Sequence, residues 1–357
     1  MYILSKKILF IVLSVLIISA DKVHATSSPS EPIINLIEDA LTYGTDPIIS
    51  VGLIQGNESG YYVYQADQVI EEGPLIEYEV GSITKTLTAS MLAQAVDEGL
   101  VHLDHSFSQY LPSLDSSHNY PTIRQLLAHQ SGYPTLFDNE TILENIRLSL
   151  NPYHGVTRDL LLEELVAYST NDAHTSFEYS NVNAAILGLV LESVYQQPYE
   201  SLVKDFMEEE LALNNSYFFE SSTDLRNQWE WSADDVYAPA AAMVSNIEDM
   251  LTYSQVQLDE DKFWLKESHS LLAQGAQSSS DSVLRQDKVA YHWFYDEVND
   301  VYWHDGGTGG YTSYIGFNID KDLAVVVLSN IPMDEGIPAN VIGSQMMNEL
   351  IQQSSRE

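Results

Sequence analysis

Hydrophobic positions along the chain change period several times, and each change marks an element. From Glu31 to Tyr43 the residues Ile33, Ile37, Ala40 and Leu41 share one helical face, Ser30 stands where an N-cap would, and Gly44 stops the run. Two β-forming runs follow, Ile48 to Gln55 and Tyr61 to Asp67, around Gly56-Asn57-Glu58-Ser59-Gly60, which predicts a hairpin. Ile76, Tyr78 and Val80 alternate as a short strand up to Gly81. At Ser82 the period becomes helical, because Ile83, Leu87, Met91 and Ala95 recur at four-residue steps until Gly99.

From about Asp115 to Tyr237 helical stretches and loops dominate, and Val182, Ala185, Ile186, Leu189 and Val190 mark the clearest amphipathic helix. Ser245 and Glu248 read as the capping box of another helix, and the Ser-rich stretch Ser278 to Ser282 as a surface loop. Strand patterns return at Tyr291 to Tyr295, at Tyr311 to Ile319 and in the apolar run Leu323 to Leu328, the last expected to be buried on both faces. Ile342, Met346, Met347 and Leu350 close the chain as a helix. Strands at both ends with helices between them predict an α/β (α+β) fold: an antiparallel sheet flanked by helices, built from both chain ends, with an inserted all-helical lobe. The α/β lobe would comprise about 26–114 and 238–357 and the helical lobe about 115–237, forming one domain with a cleft between lobes as the natural site.

The chain has 357 residues, 45% of them hydrophobic, enough for a sizeable core. It has no cysteine, so no disulfide framework is possible. The N-terminus reads as a signal peptide over residues 1–25: Lys6 and Lys7 are a basic region, Ile8 to Ala20 an apolar run, and Val23-His24-Ala25 a cleavage point. That run is shorter than the roughly 20 residues a spanning helix needs, so cleavage and export to the periplasm or exterior are expected, with no stable membrane anchor afterwards. A lipoprotein is excluded by the missing cysteine. Cleavage would move the formal charge from −37 to about −39. So acidic a surface repels phosphate backbones and anionic lipid, which argues against nucleic-acid and membrane-surface partners; for the most part it reads as a solubility adaptation.

A serine hydroxyl needs a nearby base and donors for the oxyanion it creates. Ser-x-x-Lys provides a base one helical turn away, but the pattern occurs three times, at Ser19 to Lys22, Ser82 to Lys85 and Ser201 to Lys204. The first lies in the signal segment, and the third in a stretch, Glu200 to Leu211, that reads as an ordinary charged helix. Only Ser82 starts a helix straight after a strand and a glycine, at the positive end of the helix dipole. Burial there would also lower the pKa of Lys85. Phe177-Glu178-Tyr179-Ser180-Asn181 holds the single Tyr-x-Asn among 22 tyrosines, and alone it reads as a helix cap using Ser180 or Asn181. Trp303-His304-Asp305-Gly306-Gly307-Thr308-Gly309-Gly310-Tyr311 precedes a strand; its glycines permit close backbone approach, and alone it reads equally as a hairpin turn.

Ser-x-x-Lys, Tyr-x-Asn and His-x-Gly in this order resemble the β-lactamase-related serine hydrolases, the class C β-lactamase and D,D-peptidase superfamily. Thr122 to Pro134 looks like the family's stretch before the helical lobe, and Phe317 to Asn330 like its closing strands. The resemblance implies acyl transfer in two steps through an acyl-enzyme on Ser82, with Lys85 and Tyr179 sharing proton transfer. It further implies an oxyanion hole from the N–H groups of Ser82 and Gly307, and Asn181 orienting Lys85 and the substrate amide. His304, Asp305 and Gly306 would contact substrate. No cofactor is implied, and the partners would be small peptide, ester or lactam substrates, with peptidoglycan among them.

Class C lactamases carry Lys-Thr-Gly where this chain has His304-Asp305-Gly306. Histidine supplies a smaller, pH-dependent positive charge, and aspartate repels a carboxylate unless neutralised. A D,D-peptidase-like or amide and ester hydrolase is therefore favoured over a class C-type β-lactamase. A catalytically silent penicillin-binding or peptidoglycan-sensing module is the reading from another class. A metal site at His102 and His105 lacks a third ligand, His129 is expected to satisfy loop backbone, and no Gly-x-Ser-x-Gly elbow occurs.

Overall fold

Alternation in Ile48–Gln55 (β1) and Glu58–Gln65 (β2) pairs the two strands antiparallel through the two-residue turn Gly56-Asn57. Glu58 and Ser59, expected in the turn, are already strand residues, because Gly56 takes the positive φ a tight turn demands. The structure, a computed structural model, describes residues 28–66, 68–114, 118–168, 176–219, 225–279 and 282–354. The signal-peptide segment, Asp67, Asp115, and Ser280 and Asp281 of the Ser-rich stretch lie outside them.

The main sheet adds Gln68–Glu71 (β3) beside β2, while Tyr78–Glu79 (β4) pairs separately with Val244–Ser245 (β5). Its far half comprises Ala273–Gln274 (β6), Lys288–Val289 (β7), Phe294–Asp296 (β8), Val301–Gly307 (β9), Thr312–Asn318 (β10) and Leu323–Ser329 (β11). The order β3-β2-β1-β11-β10-β9-β8-β7-β6 is antiparallel throughout, and β1 against β11 joins the two ends of the chain, as expected. Two expected strands differ. Tyr291 to Tyr295 is strand only from Phe294, since His292 has a left-handed φ of 60°. His304 to Gly307 lies within β9 rather than in a turn before a strand.

Every residue of β11 is buried, and alternate side chains enter different cores. Val325 and Val327 share one core with Ile33 and Ile37 of Glu31–Ala40 (α1) and Ile342 and Met346 of Ala339–Ser354 (α11), the helix that packs on β11. Val326 and Leu328 belong to the core on the other face, together with Leu87 of Thr84–Asp97 (α2) and Ile247 of Ile247–Asp259 (α9), the helix that packs on β11. Ser30 caps α1 as expected, but α9 is capped by Asn246, whose side chain accepts from Asp249 N; Ser245 belongs to β5.

The middle of the chain is helical among the described residues: Ile123–Leu127 (α3), Glu140–Arg147 (α4), Arg158–Ala167 (α5), Asn181–Tyr195 (α6) and Tyr199–Asp205 (α7). Ala238–Ala241 (α8) and Phe263–Ser268 (α10) complete the set, α8 packing on both α2 and α6. α6 is almost entirely buried, so it is the spine on which the site is assembled.

Candidate active site

A short 3-10 turn, Gly81–Ile83, links β4 to α2 and carries Ser82. Gly81 is there because its φ is +51° and an added Cβ would lie 2.7 Å from Gly307 N. Thr84 Oγ1 donates to Gly81 O at 2.6 Å and accepts from Met243 N, so the turn is pinned on both sides. On the next helical turn, Lys85 Nζ lies 2.8 Å from Ser82 Oγ and donates to Ala240 O at 2.9 Å. Lys85 is fully buried, and desolvation lowers its pKa to about 7, against which Asp305 pulls upward.

Tyr179 shares a side-chain hydrogen bond with Ser82, and its ring centroid is 5.1 Å from Lys85 Nζ. Burial holds the phenol well above its usual range, so it stays protonated. The stretch after α3 holds Tyr179 in place. Glu178 N donates to His129 O at 2.7 Å, Ser180 N to His129 Nδ1 at 3.2 Å, and Asn181 N to Thr135 O at 3.0 Å. Thus His129, at a left-handed φ of 53°, accepts from the peptide N–H on each side of Tyr179, and its ring packs 4.7 Å from the tyrosine ring. The expected backbone role of His129 is present, but its address beside Tyr179 was not legible. Ser180 occupies the N-cap position of α6 without capping it, since its hydroxyl donates to Pro134 O.

Asn181 lies at the first position of α6 and lines the cleft, yet its Oδ1 accepts no hydrogen bond from Lys85 or any other donor. The carbonyl of Ala240 occupies that place, which no side-chain pattern could have indicated. His304 differs from expectation too. It is fully buried, its Nδ1 donates to Asp305 O at 2.6 Å, and burial beside Lys85 depresses its pKa to about 3. It is therefore neutral and supplies no positive charge. His292 and His129 are neutral for the same reason, their rings 4.5 Å apart. Asp305 is partly exposed; its Oδ2 accepts from Asn340 Nδ2 of α11 at 2.6 Å, and burial raises its pKa.

β9 approaches the Ser82 turn backbone to backbone. A Cβ on Gly306 would fall 2.0 Å from Val80 O and 2.9 Å from Ser82 N. Thr308 N donates to Tyr311 O, so the next pair inward, Gly307 with Thr312, is of the non-hydrogen-bonded type and the Gly307 N–H points away from β10. β8 pairs with β9 only as far as Trp303, so that side of Gly307 faces the Ser82 turn. Ser313 Oγ donates to Val80 O at 2.8 Å and fastens the two segments.

Ser82, Tyr179, Asn181, Asp305, Gly306 and Gly307 line a cleft of about 540 Å³ walled by Tyr153, Phe177, Trp229 and Phe294, while Lys85 and His304 lie behind its surface. A second cavity of about 400 Å³ lies between α5, α6 and α8, but Glu192 there is tied to Tyr199 N and Asp235 to Gly155 N and Ser232 N. The other Ser-x-x-Lys pair, Ser201 and Lys204, is on exposed α7. His102 and His105 contact each other and Tyr110, and among the described residues no group is arranged to hold a metal ion.

An antiparallel sheet from both chain ends, with Ser82, Lys85 and Tyr179 converging where it meets the helices, is the architecture of the β-lactamase and transpeptidase fold, whose family members are serine hydrolases. The Beta-lactamase family model matches residues 77–339, and the chain belongs to that family. "Protein flp" of Staphylococcus aureus (strain MW2) is 26% identical over 90% of this chain and 68% of its own length. A "Beta-lactamase" of Providencia stuartii is 23% identical over 93% of this chain and 94% of its own. The solved "Beta-lactamase/D-alanine Carboxypeptidase from Yersinia pestis" superposes with a TM-score of 0.73 over 92% of this chain and 96% of that one, at 18% identity.

Proposed function

We propose that this chain is an exported serine hydrolase of the D,D-peptidase-like or amide and ester hydrolase kind, forming an acyl-enzyme on Ser82. The observation that carries the reading is Lys85 Nζ at 2.8 Å from Ser82 Oγ, with a pKa near 7. A share of the lysines is then neutral near neutral pH and able to accept the serine proton. Ser82 Oγ attacks the carbonyl carbon as its proton passes to Lys85. The oxyanion is held by the N–H groups of Ser82 and Gly307. Tyr179, protonated and bonded to Ser82, relays a proton to the leaving group as the bond to the acyl carbon breaks. Water then enters by the same route in reverse, releasing the acid and restoring the serine.

His304, being neutral, gives no fixed charge to hold a carboxylate, whether of a lactam or of a D-Ala-D-Ala terminus, which supports the amide and ester half of this reading. The basic, apolar and small-residue regions of residues 1–25 support export. The test is to purify the protein without residues 1–25, assay D-Ala-D-Ala peptides, short acyl esters and a chromogenic cephalosporin, and follow intact mass with a fluorophosphonate. Wild type should gain one adduct and Ser82→Ala none. Equal turnover by the variant removes Ser82 as nucleophile, and no adduct on wild type points to a silent binding module.

A further inference from the structure

The cleft around Ser82 has an unusual charge inventory. Among the described residues that line it there is no lysine or arginine, while Asp305 supplies a carboxylate. The internal stretches outside the described residues, such as 169–175 and 220–224, contain neither lysine nor arginine in their sequence. Two arginines contribute backbone near the rim, and both side chains are committed elsewhere. Arg226 donates to Asp46 at 3.0 Å, and Arg285 is held by Asp287 at 2.8 Å with Asp296 at 3.6 Å. Lys85, buried beneath the cleft, interacts electrostatically with Asp305. With Asp305 ionised, those two side chains sum to zero when Lys85 is charged and to a net negative charge when Lys85 is neutral, so the pair never offers an anion a net positive charge.

Asn340 Nδ2, a donor that could serve a bound anion, is occupied by Asp305 Oδ2 at 2.6 Å. A second buried carboxylate, Glu79, lies behind the wall, accepting from Thr308 Oγ1 at 2.7 Å and from Trp229 N at 2.8 Å. Thr308 and Trp229 both line the cleft, and the surrounding chain carries a formal charge of −37. An anionic substrate group would therefore lose water here and meet no cation in return. An uncharged aromatic or aliphatic group would instead bury itself on Tyr153, Phe177, Trp229 and Phe294.

We infer that the cleft selects uncharged esters or amides bearing an aromatic or other apolar group, that it disfavours acyl donors with a free carboxylate beside the scissile bond, and that Asp305 is the specificity-determining residue. Asp305 takes up the Asn340 donor that such a carboxylate would need and adds a like charge beside it. The inference rests on Ser82 being the nucleophile, and it narrows the proposed D,D-peptidase-like or amide and ester hydrolase to its amide and ester half, since a D-Ala-D-Ala peptide carries a free carboxylate beside the scissile bond.

The test uses two thioesters with one N-benzoylglycyl acyl group, differing only in thioglycolate or thioglycolamide as leaving group, with thiol release as the readout. Wild type should prefer the amide-bearing donor by roughly tenfold or more in kcat/KM, and Asp305→Asn should narrow that ratio to within about threefold. Equal or faster turnover of the carboxylate donor by wild type overturns the inference, as does an unchanged ratio in the variant. Should Asp305→Asn fail to fold, Asp305→Ser carries the same comparison, and an unchanged ratio in it overturns the inference. Ser82→Ala separates the two claims: turnover by that variant refutes the nucleophile, whereas an inactive variant beside an indifferent wild type refutes the charge selection alone.

Discussion

Replacing His129 tests how Tyr179 is positioned. Leucine at 129 removes the acceptor for Ser180 N at 3.2 Å and Asn183 Nδ2 at 3.3 Å, two donors on residues with no solvent exposure. Each orphaned buried donor costs about 1–3 kcal/mol, so the two together cost about 2–6 kcal/mol before relaxation. The ring contact with Tyr179 at 4.7 Å adds roughly 1 kcal/mol, and a branched side chain at a φ of 53° adds strain. The stretch can recover its hydrogen bonds only by letting water in beside Tyr179, which displaces the phenol from Ser82; misplacement on the order of 1 Å costs about 10²-fold. Asparagine tolerates the left-handed backbone and offers Oδ1 where His129 has Nδ1. His129→Asn should therefore fold and retain kcat within about tenfold, whereas His129→Leu should lose about 100-fold or more with KM within about threefold, since the contact that moves, Tyr179 to Ser82, serves proton transfer rather than substrate binding. Thermal unfolding and steady-state kinetics on an activated ester measure both. A folded His129→Leu variant with wild-type kcat refutes the reasoning, and so does equal damage in the two variants.

Gly306→Ala would place a methyl 2.0 Å from the backbone oxygen of Val80, so β9 must move off the Ser82 turn; turnover should fall by about 100-fold with a lowered Tm, whereas Gly56→Ala, with open space around it but a φ of 58°, should lower Tm modestly and leave turnover unchanged. Because Lys85 acts as a base when neutral and its pKa is about 7, kcat/KM should rise through a limb near pH 7, and Lys85→Arg should abolish turnover rather than move the limb. The lowered lysine pKa also means the unfolded chain binds more protons between about 7 and 10.5, so stability should rise with pH across that window in chemical denaturation. His304 has the same sign at lower pH: between 6.5 and about 3 the unfolded state binds the extra proton, and stability should fall on acidification by up to about 1.4 kcal/mol per pH unit for each such histidine. Replacing His304 by glutamine should flatten that slope.

Much of the fold was legible because its signals are local. The four-residue period of α2, the capped start of α1 and the doubly buried β11 each follow from spacing along one segment. The same holds for Ser82 and Lys85, since residues three apart on a helix are neighbours whatever surrounds them. Boundaries were less legible where a single backbone angle decided them, as at Gly56 and His292.

What only the tertiary structure decided is the electrical and hydrogen-bonding state of those residues. The sequence alone put a titratable histidine at 304, but burial against Lys85 and Phe294 made it neutral. It suggested Asn181 as the partner of Lys85, but packing of α8 on α2 brought the Ala240 carbonyl there instead. It showed Asp305 without the Asn340 that holds it, and His129 without the Tyr179 it flanks. Residue type and spacing fix which groups can react, because covalent geometry and helical pitch are local. The pKa of each group and the partner it bonds depend on desolvation and on contacts between segments dozens to hundreds of residues apart, and those exist only once the chain has folded.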